Sequence, residues 1–209
     1  MLTDPNGEDD YFDFYGNYLG TNKEETDYIY VTDDFNRLED GRCVVGIDTR
    51  VALADADLSA EAWSNLATNI FSRMSGTDVS DLHNEKISVT VWNGESNVKE
   101  SKEYFNAPSF NGDALAETSG RKADNADARI TMYVWPQGTE ERSLLNTVSN
   151  IQNLIGAHEY MGHYVNGISH NKNSYDKVYH YQMEHSTWQK NTDSYKNYIK
   201  KIMNDNGYF

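Results

Sequence analysis

The sequence predicts an α+β domain, a small mixed or antiparallel sheet packed against a helix and followed by a helical C-terminal third. Three observations predict it. Ile87–Trp92 and residues 130–135 alternate apolar and polar side chains with the period of two that a half-buried strand requires. Residues 58–75 and 143–166 carry apolar side chains at the three-to-four spacing of a helix. From residue 143 onward every periodic segment is helical.

Residues 1–40 are polar, acidic and aromatic, with turn signals at Pro5-Asn6-Gly7, Gly16-Asn17 and Gly20-Thr21-Asn22. Short strands fit between these turns, residues 28–31 among them, so this segment is expected to form a lead-in or cap to a domain spanning 41–209. Residues 42–54 read as one strand, with Cys43 as a small core residue. In the helix over 58–75, Asp57 or Ser59 can cap the first turn, Trp63, Leu66, Ile70 and Met74 share a face, and Gly76 stops it.

The strand Ile87–Trp92 ends at the turn Asn93-Gly94. Residues 106–128 read as a loop, long enough to be functional in its own right. The strand over 130–135 stops at Pro136. Leu144, Val148, Ile151, Leu154, Ile155 and His158 line one side of the helix over 143–166. Two more helices follow, 174–184 capped by Ser174 and 192–203 stopped by Gly207.

At 209 residues and 38% apolar, with 15 Tyr and 4 Trp, the chain can build one core. A formal charge of −15 argues for solubility and against a nucleic-acid partner, which needs Lys and Arg for phosphate. No apolar run reaches the ~18 residues of a membrane helix, so no membrane partner is expected. The first residues have neither a basic nor an apolar signal-peptide region, which leaves a cytoplasmic protein or one exported as part of a larger chain. A single cysteine excludes an internal disulfide and a cysteine-based zinc site.

The chemistry lies in the histidines. Five of the six, His158, His163, His170, His180 and His185, fall within 28 residues, and His83 stands alone. Neutral imidazole is a common zinc ligand, so the expected cofactor is Zn²⁺. In the zinc-protease helix H-E-x-x-H the histidines are four apart and share a face, with the Glu as general base. Here, in His158-Glu159-Tyr160-Met161-Gly162-His163, they are five apart. At about 100° per residue an ideal α-helix turns them about 140° away from each other, too far to share an ion. One extra residue in the turn, a π-bulge, restores the alignment, and Gly162 is the position most tolerant of it. Val165 and Ile168 fit an undistorted helix.

His180 is the preferred third ligand, set mid-helix and 17 residues beyond His163. Glu184, one turn further, is the alternative ligand or a partner that orients an imidazole, and His185 and His170 also remain open. Otherwise His83, His170 and His185 read as surface or capping residues. Zinc lowers the pKa of a bound water to about 7 and polarises a carbonyl, giving metal-assisted hydrolysis of a peptide or protein substrate. The strand over 130–135 is a candidate edge for that substrate. Tyr164 and Tyr181 are candidates to stabilise the oxyanion, with nothing to select between them.

The six-residue run also resembles the H-E-x-x-G-H helix of the dipeptidyl peptidase III family of zinc peptidases. The resemblance implies a zincin-like fold, with His158 and His163 as ligands and Glu159 as catalytic base. It covers six residues, and the family's downstream E-E-x-x-A-E element is absent, so exopeptidase specificity does not carry over. A second resemblance joins Asp4-Pro5-Asn6-Gly7 and residues 12–21 to the segment linking bacterial RHS-repeat cores to their C-terminal domains. The tail around Asp176–His180 and His185–Trp188 is similar to helical ends of such domains, implying an exported toxin-like module or a relative of one that stands alone. The competing expectations are a metal site without catalysis and an acidic interaction domain.

Overall fold

A computed structural model describes residues 8–22, 26–40, 42–74, 87–92, 115–124, 127–169 and 174–208. Strands β1 (Asp10–Phe12), β2 (Tyr18–Thr21), β3 (Ile29–Val31), β4 (Phe35–Arg37), β5 (Cys43–Val45) and β6 (Val51–Ala52) precede helix α1 (Ala60–Ser72). Then come β7 (Ile87–Trp92), β8 (Ala116–Ser119), β9 (Ala128–Tyr133) and the short helix α2 (Glu140–Ser143). Helix α3 (Val148–Ile151) runs directly into a π-helix over Gln152–Val165, and α4 (Tyr175–Glu184) and α5 (Asp193–Asn206) complete the chain. Small mixed sheets combined with helices make this an α+β fold. Among the described residues, no helix is long and apolar enough to cross a membrane.

The sheets run β2-β1-β3-β6, β4-β5 and β7-β9-β8. β1 pairs parallel with β3 and antiparallel with β2, while β9 pairs parallel with β7 and antiparallel with β8. Phe12, Ile29 and Val31 sit in the same buried cluster as Trp63, Ile70, Ile130 and Ile155. The segment expected as a lead-in therefore supplies part of the main core. Arg73 at the end of α1 reaches back to the buried Asp10 at 2.6 Å, pinning the helix to β1.

Local sequence explains most elements. Ser59 caps α1 by accepting from Ala62 N at 3.1 Å. Thr147 caps α3 and Thr192 caps α5, each accepting from the amide three residues on, and Gly207 ends α5 at φ 69°. Ser174 does not cap α4, because its hydroxyl bonds the Ser169 carbonyl at 3.0 Å instead.

Three further expectations change. Residues 42–54 are not one strand, because a 3₁₀ turn at Ile47–Thr49 follows Gly46 and sends β5 and β6 into different sheets. Residues 115–124, expected within a loop, contain β8 and the 3₁₀ turn Lys122–Asp124. The strand expected over 130–135 ends at Tyr133 and is flanked on both sides by β7 and β8, so it has no edge for a substrate. The Cys43 side chain, the Asn93-Gly94 turn, Gly76, His83, His170 and the Asp4–Gly7 motif lie outside what is described.

Gly16, in the β1–β2 turn, rests on α1. Its φ is +78°, and a Cβ there would lie 2.0 Å from the Ala62 carbonyl oxygen. Both the left-handed backbone and the collision with a helix carbonyl oppose a side chain. Gly16→Ala is expected to cost more than about 2 kcal/mol, read as a lower denaturation midpoint with unchanged slope.

Candidate metal centre

The π-helix is what makes the histidine spacing workable. Its hydrogen bonds run from each amide to the carbonyl five residues back, as Asn166 N donates to Met161 O at 3.0 Å. Residues five apart then lie nearly above one another. The His158 and His163 rings stand with centroids 5.1 Å apart, at 67° to each other. The distortion extends over 14 residues and is not confined to Gly162. Gly162 serves packing as well. A Cβ on it would meet Val178 Cγ1 at 3.0 Å, so the glycine lets α4 lie close.

His158, Glu159 and His163 are all buried, at 4%, 2% and 3% exposure. Each imidazole is tied through Nδ1. His163 Nδ1 lies 2.7 Å from the Ile168 carbonyl oxygen, which can only accept, so Nδ1 carries the proton. His158 Nδ1 lies 2.8 Å from Gln182 Oε1. The Gln182 amide orientation follows from its other bonds. Its Nε2 donates to Asn153 Oδ1 and Tyr195 Oη, both at 2.9 Å, and Asn153 Nδ2 donates to Thr187 Oγ1. Oε1 therefore faces His158, and His158 donates to it. When such a ring is neutral, Nε2 is the basic nitrogen, the arrangement in which a histidine can ligate a metal.

Glu159 projects toward β8, where Thr118 Oγ1 donates to its Oε2 at 2.8 Å. Its other oxygen, Oε1, is 4.0 Å from His158 Nε2. Burial raises its pKa to about 8, the Thr118 bond opposes the rise, and the nearby Glu117 adds to it. Tyr133 donates to Glu117 at 2.9 Å.

Aromatic rings from α4 enclose the pair. The Tyr179 ring centroid is 4.9 Å from that of His158, and the Tyr175 centroid is 6.1 Å from His158 and 5.6 Å from His163. Burial and the negative charge of Glu159 hold both phenols well above their ordinary pKa. The helix lines two cavities. One, of about 40 Å³, is lined by His158, Glu159, Leu115, Tyr175 and Tyr179 among others. The other, of about 270 Å³, is lined by His163, Thr118, Arg121, Asp124 and Ser169 among others.

The expected third ligand is not brought in. His180 is exposed, whereas Val178, Tyr179 and Gln182 form the inward side of α4. Glu184 is exposed too, and His185 Nδ1 is engaged with Thr187 as a helix cap. Among the described residues, no group of three or more His, Cys, Asp and Glu lies close enough to hold a metal. The orienting role considered for Glu184 falls to Gln182. The signal was present in the sequence, since Tyr175, Val178, Tyr179 and Gln182 follow the i, i+3, i+4, i+7 rule for one helix face. Thr118 had no comparable signal within its polar segment. In comparisons with family models, with curated proteins and with solved structures, the chain matches none.

Proposed function

We propose that the chain is a zinc-dependent hydrolase acting on peptides, in which His158 and His163 hold the ion and Glu159 is the general base. The observation that carries this reading is the pair of buried imidazoles, 5.1 Å apart, each donating Nδ1–H and so keeping Nε2 basic. Two imidazole nitrogens suit zinc better than the oxygen-seeking calcium or magnesium. Bound there, zinc would acidify water and polarise a carbonyl. The remaining coordination positions are not supplied by His180, which faces solvent.

The chain's own groups support the rest. Thr118 holds one oxygen of Glu159, leaving Oε1 on the His158 side. The 40 Å³ cavity that Glu159 shares with His158 has room for a water. From such a water Glu159 takes a proton and returns it to the leaving amine. Its raised pKa favours the protonated form in metal-free protein, and a cation beside it favours the carboxylate. Tyr175, lining the same cavity, is in place to donate to a developing oxyanion. Among the described residues β8 is an edge strand of its sheet, and it carries Thr118, so an extended peptide could add along it.

The test is metal content followed by activity. Protein purified at neutral pH is expected to hold about one zinc per chain, and to cleave peptides in a way that chelation abolishes and zinc restores. Protein that neither carries nor takes up zinc would end this reading.

A further inference from the structure

We propose that Arg121 makes the cleft beside His163 a subsite for a single carboxylate of the substrate. This rests on the peptidase reading above for its place in catalysis, but not for the binding itself. Gly120 ends β8 at φ +87°, and the chain turns there into Lys122–Asp124, with Asp124 N bonded to Arg121 O at 3.1 Å. That turn sets Arg121 on the wall of the 270 Å³ cleft, together with Thr118 and His163. Thr118 bridges the cleft to the base, since its hydroxyl holds Glu159.

Arg121, exposed on this turn, is the one described residue lining the cleft that has a permanent positive charge. Among the described residues, no carboxylate pairs with Arg121, although Asp124 lines the same cleft. A guanidinium offers a planar fork that matches a carboxylate with two parallel hydrogen bonds. The Thr118 hydroxyl is given to Glu159, which leaves the guanidinium as the donor facing the cleft, and Ile168 gives an apolar wall. The volume lies just below the ~300–1,000 Å³ of pockets for whole small ligands, which suits one residue of a peptide. The charge of the whole chain sharpens the choice. At −15 it repels polyacidic ligands at long range, so the cleft selects a lone carboxylate on an otherwise neutral or basic peptide. That carboxylate is either an Asp or Glu side chain or the peptide's own C-terminus.

The test is a binding titration on chelated, metal-free full-length protein, followed by NMR of the Thr118 methyl and His163 ring. The probes are acetyl-Glu-amide, acetyl-Gln-amide and acetyl-Gln with a free C-terminus. The expected result is at least tenfold tighter binding of one carboxylate probe than of acetyl-Gln-amide, with shifts at Thr118 and His163. Which carboxylate probe wins identifies the side-chain or C-terminal source. In Arg121→Ala that ratio is expected to fall to near one, and Arg121→Glu is expected to reverse it. Equal affinity for all three probes, or a ratio unchanged in Arg121→Glu, overturns the proposal. A carboxylate preference in a protein that never cleaves peptides would retain the subsite and remove only the peptidase reading.

Discussion

Glu159→Gln is expected to lower kcat for peptide cleavage by about 10²–10⁴-fold, the usual contribution of a general base, while zinc content stays at the wild-type level. The amide keeps the shape of the side chain and can still accept from Thr118, so the helix and the histidines are not disturbed. Only the ability to accept a proton is lost. The same variant has a stability signature in chelated protein. Burial raises the Glu159 pKa to about 8 from an ordinary value of 4.5. Folded wild type therefore binds a proton more tightly than the unfolded chain does. Its stabilising contribution is complete below about pH 4.5 and is lost as pH rises through 8. Above that, a buried carboxylate costs on the order of a few kcal/mol, which a neutral amide avoids. Glu159→Gln should thus melt higher than wild type at pH 9, with a difference that shrinks toward pH 4.

His163→Ala is expected to abolish stoichiometric zinc binding, the largest effect of any single substitution at the site. Its Nδ1–H donates to Ile168 O, which aims the ring, and His158 alone would leave the ion with one protein nitrogen from this helix. Gln182→Leu is a graded companion. It removes the acceptor that fixes the His158 tautomer, and changes of this kind typically weaken metal affinity by 10–100-fold. It also leaves the buried Asn153 and Tyr195 short of a partner, so some loss of stability accompanies it. A competition titration with a zinc chelator measures both. If His163→Ala binds zinc as tightly as wild type, the two histidines do not share an ion.

Features with a local cause were legible in the sequence. The alternation of Ile87–Trp92 marked β7, and the cap Ser59 with the face Trp63, Leu66 and Ile70 marked α1. The five-residue histidine spacing suits a shared ion only with an added residue in the turn near Gly162, whereas Val165 and Ile168 suit a regular helix, and the structure has a π-helix over Gln152–Val165. Its full length was not legible. A continuous π-helix depends on what packs around it, including Met74 against Gly156 and Val178 against Gly162. β8 was missed because Ala116–Ser119 has too little apolar alternation to declare itself, and its pairing with β9 is a long-range contact. His180 drew attention as a histidine, yet the residue that reaches the site is Gln182, two positions on. Residue type suggested one and helix phase selected the other.

Zinc K-edge X-ray absorption on protein loaded with one equivalent of zinc tests directly whether His158 and His163 share the ion. Backscattering from two imidazoles is expected, with nitrogen at about 2.0–2.1 Å, and in His163→Ala and His158→Ala alike the imidazole signal is expected to disappear because the zinc stays in solution. A wild-type spectrum with no imidazole contribution, or one that neither substitution alters, would contradict a shared ion.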